Sequence, residues 1–132
     1  MKIHISPGTC FIASGRHQNM AARVEKRFSL QELDVYSGSL SAVCVNAKKP
    51  IPSDRDSFSS VARSPADLTR FLARSARENP MVVQAGVWAL TDRYTAAQIQ
   101  ARLRRGASSA ISNKHIKKAR EILHELGIAH TL

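Results

Sequence analysis

Apolar and polar positions follow two different periods along this chain, and the change falls near residue 60. Over the first half the apolar residues come in short runs broken by turn formers. Lys2 to Ile5 alternates polar and apolar positions, Pro7-Gly8 marks a turn, and Thr9 to Ala13 is a β-branched and aromatic run. Met20 to Leu30, with Val24 and Phe28 as its apolar positions, allows one or two strands or a short helix. Tyr36-Ser37-Gly38-Ser39 reads as a loop. The run LSAVCV then sets Leu40, Ala42 and Cys44 on one face and Ser41, Val43 and Val45 on the other. Lys48-Lys49-Pro50-Ile51-Pro52 ends it, because proline cannot donate to a ladder.

From residue 64 onward the spacing is helical. Ser64-Pro65-Ala66-Asp67 reads as a cap, a proline at the first helical position and an acid in the first turn, ahead of an apolar stripe of Leu68, Phe71 and Leu72. Asn79-Pro80 opens a second helix by the same chemistry, and it runs MVVQAGVWALTD. Thr95-Ala96-Ala97-Gln98 is a capping box for a third helix, with Ile99 and Leu103 inward and Gly106 at its end. After a small-residue loop from Gly106 to Ser112, Asn113 opens a fourth helix with Ile116, Ala119, Ile122, Leu123 and Leu126 on one face. Gly127-Ile128 closes it in the Schellman manner. There is no internal repeat and no low-complexity tract. The pattern predicts an α+β fold in one domain spanning residues 1–132: a small antiparallel β-sandwich or sheet over residues 1–60, packed against four helices in residues 61–132.

Composition narrows the class. The 132 residues and 43% apolar content suit one globular domain, whose common size is roughly 100–150 residues. No apolar run approaches the roughly 18 residues of a spanning helix, and the N-terminal stretch lacks the apolar segment of a signal peptide. Lys and Arg outnumber Asp and Glu by 20 to 10, a net charge of +10. Residues 1–60 hold 8 basic and 5 acidic side chains, for +3, and residues 61–132 hold 12 and 5, for +7. Two cysteines, Cys10 and Cys44, are too few for a disulfide scaffold or an all-cysteine zinc site. The five histidines have no spacing that makes ligands of them, so no metal and no cofactor are expected.

The candidate chemistry lies on the second helix. Met81, Val82, Val83, Ala85, Val87, Trp88, Ala89 and Leu90 surround a single amide, Gln84. A helix apolar all round is a core helix, so the Gln84 carboxamide requires partners or costs a few kcal/mol. Trp88 follows one turn later on the same face. In the plainer reading Gln84 bonds the backbone of a neighbouring strand. In the sharper one it pairs with Cys44.

The segments AVCVNAKKPIP and VVQAGVWALTD resemble the two signature blocks of bacterial thioester domains, surface-adhesion modules in which a strand Cys and a helix Gln join through an internal thioester. Val83-Gln84, Val87-Trp88 and Thr91-Asp92 match the second block. Cys44-Val45 and the later prolines match the first, with Val43 where an aromatic residue or Leu is usual. The likeness covers about residues 41–92. It implies a binding module in which Cys44 and Gln84 form the bond, Trp88 shields it, and a partner amine is captured once rather than turned over. It also implies a bacterial cell-surface setting.

The basic residues support a different class. Arg102, Arg104 and Arg105 end the third helix, where cations suit the helix dipole, whereas Lys114, Lys117 and Lys118 cluster early on the fourth, where they do not, with Arg120 beyond them. This alternative is a small basic binding protein for nucleic acid or an acidic protein or surface, with Cys44 and Gln84 as core residues. The Gly106 to Ser112 loop is too long for a helix-turn-helix, and 5% aromatics leaves no base-stacking motif, so the attraction would be non-specific. Cys10 reads as a small buried hydrophobe or as half of a disulfide with Cys44. A Cys–His nucleophile has no residue order to define it, and His124 and Glu125 read as a solvated helix face.

Overall fold

The structure is a computed structural model describing residues 1–31, 35, 37–105 and 108–132, with the side chains of Arg105, Ser108 and Ser109 outside the description. Six strands precede four helices, with a two-residue hairpin inserted between the last two helices: β1 (Lys2–Ile5), β2 (Thr9–Ala13), β3 (Met20–Ala22), β4 (Lys26–Ser29), β5 (Ala42–Cys44), β6 (Phe58–Arg63), α1 (Ala66–Arg74), α2 (Pro80–Thr91), α3 (Ala96–Arg102), β7 (Arg104–Arg105), β8 (Ser108–Ser109) and α4 (Asn113–Glu125). The fold is mixed α+β, with antiparallel sheets ordered β5-β3-β2-β6 and β1-β4 and the helices in the C-terminal part. No helix among the described residues is long and apolar enough to cross a membrane.

The Met20 to Leu30 segment resolves into two strands serving different sheets, β3 against β2 and β5, and β4 against β1. Two elements depart from the sequence reading. β6 crosses the expected boundary at residue 60 and pairs with β2 along its length; its sequence FSSVAR barely alternates, because an edge strand exposes most of its side chains. Arg104 and Arg105, expected to end the third helix, instead form β7 and pair with β8 inside the expected Gly106 to Ser112 loop; strands this short leave no period-2 pattern, and Gly106 itself lies outside the described residues.

Helix termini follow local chemistry, with one exception. Asn79 Oδ1 accepts from Met81 N at 2.8 Å, and Thr95 and Gln98 form the capping box. Gly127, at φ +67°, donates to His124 O while Ile128 N reaches back to Leu123 O, both at 3.0 Å, which is the Schellman pattern. For α4 the cap is Ser112, boxed with His115, and Asn113 is the first helical residue. Ser64 does not cap α1. Its N–H donates to Gly8 O at 3.2 Å, which ties it to the sheet, and its buried hydroxyl has no partner among the described residues; Pro65 occupies the cap position without a side-chain bond.

The core is continuous between the helices and one face of the four-stranded sheet, joining Ala21, Val43 and Val45 to Phe71, Leu72, Val83, Val87, Trp88, Ile116 and Leu123. α2 lies at its centre, with every residue from Val82 to Ala89 buried. Gly86 has a steric reason for being glycine: a Cβ there would stand 2.0 Å from Phe71 Cζ, so α1 and α2 approach through its missing side chain. α2 also packs against β5, which carries Cys44 to the helix that carries Gln84.

Candidate functional site

β5 is an edge strand, paired with β3 on one side only, with Met20 opposite Cys44 and Ala21 opposite Val43. Its next inward bond is Val45 N to Asn19 O at 2.9 Å. The N–H and C=O of Cys44 therefore point outward, where an edge strand has no neighbour. Gln84 fills that place. Its Nε2 donates to Cys44 O at 2.8 Å, and its Oε1 accepts from Cys44 N at 3.3 Å. One carboxamide thus serves as a one-residue extension of the ladder, and with 9% exposure it is almost entirely sequestered. The oxygen and the nitrogen of the Gln84 carboxamide each have a partner in the Cys44 backbone, as a buried amide requires.

Antiparallel partners share a face of the sheet. Cys10, Ala21 and Val43 consequently lie on the core side, and Phe11, Met20 and Cys44 on the other. The two cysteines sit two strands apart on opposite faces. Two strand spacings amount to about 10 Å, beyond the ~7 Å Cα separation that a disulfide spans, and both thiols are free.

The chain leaves β5 through a tight turn. Asn46 takes a left-handed φ of +59°, and Lys49 N returns to Asn46 O at 3.0 Å. Arg102 holds this turn from outside, its Nε donating to Ala47 O at 2.9 Å and its terminal guanidinium nitrogen to Lys49 O at 3.2 Å. Gln18 Nε2 donates to the same Lys49 carbonyl at 2.8 Å. Burial pushes the half-buried Cys44 thiol above the ordinary cysteine range, and the positive charge of Arg102 opposes that shift. Trp88 is buried one turn beyond Gln84, ring edge against Tyr94 at 6.4 Å between centroids, and its indole N–H has no partner among the described residues.

The basic residues differ in what they contact. Arg102 is committed to backbone carbonyls, and Arg104 is exposed on β7. The backbone of Arg105 belongs to β7, and its side chain lies outside the described residues. On α4 Lys114, Lys117 and Lys118 are exposed and Arg120 is half-buried. Lys118 lies 3.9 Å from Glu78, and Glu125, on the same helix, bonds Arg74 at 2.7 Å. Of the α4 lysines, Lys118 thus has an acid from outside the helix beside it.

A cavity of about 760 Å³ opens elsewhere, on the core side of the sheet. Cys10, Asn46, Ser64, Asp92, Arg93 and His130 are among its walls, and neither Cys44 nor Gln84 contributes. Burial raises the Cys10 thiol as it does that of Cys44, and His130 is lowered, chiefly by burial and then by the charges of His124 and Arg120. Sequence reasoning missed this cavity because its walls come from six separated segments. It also missed the part Arg102 plays; the only local signal was a cation placed at the end of α3. Comparison with protein-family models, with curated proteins and with solved structures finds no match to this chain.

Proposed function

We propose that this protein is a thioester-domain-like binding module that joins Cys44 to Gln84 and then captures a partner nucleophile covalently. The observation that carries the reading is the two-bond clamp of the Gln84 carboxamide on the backbone of Cys44 itself. Because Oε1 and Nε2 both face that one residue, the carbon between them stands opposite the Cys44 backbone, and Sγ is two covalent bonds from Cα. Strand side chains stand roughly perpendicular to the sheet, whereas the clamped amide extends it, so attack by the thiol would come at the flat face of the carbonyl. The Cys44 N–H already polarises Oε1 and would stabilise the oxyanion of a tetrahedral intermediate.

In the first step a bond forms between Sγ and the Gln84 amide carbon, the carbon–nitrogen bond breaks, and the thiol proton leaves on ammonia. In the second step an amine attacks the thioester carbon, the carbon–sulfur bond breaks, and the amine's proton restores the thiol. The cycle ends with the partner attached, which is adhesion rather than turnover. Buried α2, with Trp88 one turn on, supplies the apolar surroundings that limit hydrolysis.

Intact-mass measurement of the purified chain tests this. The expected chain is lighter than its sequence by one ammonia, and Cys44→Ala restores the full mass. In the competing reading Gln84 only seals the β5 edge, and the native chain then has its full mass.

A further inference from the structure

Building on the thioester reading, we propose that the captured nucleophile is a lysine amine embedded in an acidic protein segment. The argument rests on the charges around Cys44. α2 has no ionisable side chain over Pro80–Thr91, and in residues 37–53 the only charged side chains are Lys48 and Lys49, both exposed. Those lysines sit in the turn that starts two residues after Cys44 and that Arg102 ties down. α3 carries no acid, and Arg104 follows it exposed. The face shared with Cys44 presents Met20 and Phe11 from the neighbouring strands. Of the acids that follow in sequence, Asp54 is exposed beside Arg55, Asp56 accepts from Ser53 and faces His17, and Asp92 lines the cavity on the other side of the sheet.

The charges tied to the turn beside the thiol are therefore cationic: Arg102 on its carbonyls and Lys48 and Lys49 within it. An isolated lysine is a cation and is repelled by them. A lysine flanked by carboxylates is drawn in, and its neighbours can pair with Lys48, Lys49 and Arg104 while the amine reaches the thioester carbon. Attraction of this kind raises association rates by about 10-fold or more at low salt and fades as ions screen it.

The test uses the whole chain and three synthetic peptides of equal length, each with one central lysine, flanked by Glu, by Gln or by Arg. Adduct formation is followed by intact mass at low and high salt. The Glu-flanked peptide is expected to react about tenfold faster than the Gln-flanked one at low salt, the Arg-flanked one slowest, with the spread collapsing at high salt. The double variant Lys48→Glu with Lys49→Glu keeps the ammonia deficit and loses the preference. Equal rates for the three peptides, or a preference unchanged in the double variant, overturn the acidic partner and leave the thioester reading standing. An ammonia-deficient chain that reacts with no peptide overturns the amine acceptor, and adducts with an anionic polysaccharide alone would assign the class to hydroxyls instead. A full-mass chain removes the thioester reading itself, and this proposal with it.

Discussion

Cys44 and Cys10 occupy one sheet, on strands separated only by β3, and both thiols are held above their ordinary range by burial. What distinguishes them is the neighbour. Cys10 faces a cavity whose walls offer charged and hydroxyl groups, whereas Cys44 has a carboxamide bonded to its own backbone. The difference arises from position in the sheet: β2 is flanked by β3 and β6, so its backbone is occupied, while β5 is an edge whose outward groups can take up a side chain. Both thiols are half-buried and shifted in the same direction, and it is the free edge that gives one of them an electrophile to work on.

The comparison breaks most sharply in mass. Cys44→Ala is expected to abolish the loss of ammonia completely, and Cys10→Ala to leave it intact; a deficit that survives Cys44→Ala would put the bond elsewhere. Next in size is Gly86→Ala. The added methyl collides with Phe71, pushes α2 away from α1, and is expected to cost about 3 kcal/mol in denaturant unfolding. Removing the clamp by Gln84→Ala leaves the Cys44 N–H and C=O without partners, at a cost of about 2 kcal/mol. Cys10→Ala, which strands no hydrogen bond at the β5 edge, should fall below about 1 kcal/mol by the same measurement.

The smallest effect is in titration. Once a small amine has opened the thioester and freed Cys44, alkylation of both thiols followed against pH is expected to reach its midpoint above that of a free cysteine. Arg102→Gln moves the Cys44 midpoint further up, since burial is then unopposed, and leaves that of Cys10 in place. Each raised value means that the fold favours the protonated thiol. The stability this contributes is present below the ordinary cysteine range and is lost as pH rises through the folded value.

The helical half was legible in detail because caps are local. Asn79, Thr95 and Gly127 act within a turn of their own positions, and their residue types suffice to read them. Ser64 has the same chemistry and fails as a cap because its N–H is claimed by Gly8, far away in sequence. β6 was illegible for a related reason, since its existence depends on the partner β2 rather than on its own pattern. For the site, the apolar surroundings of Gln84 implied burial and the need of a partner, and the alternation in LSAVCV separated Cys44 from the core-facing valines. That the partner is the Cys44 backbone follows from β5 being an edge, which requires the whole strand order. Arg102 looked like a dipole-stabilising or ligand-seeking cation, and it is committed to the carbonyls of Ala47 and Lys49, acceptors about 50 residues earlier in the chain.

Gln84 Nε2 donates to the Cys44 carbonyl, and in the proposed reaction it is also the atom that departs. Making the thioester would therefore uncover an acceptor on a strand edge, at a cost of about 1–3 kcal/mol unless water takes it up. Loading and sheet integrity would compete for one nitrogen: the unreacted chain is the better-sealed molecule, and the loaded one carries both a spring-like electrophile and an edge open to another backbone.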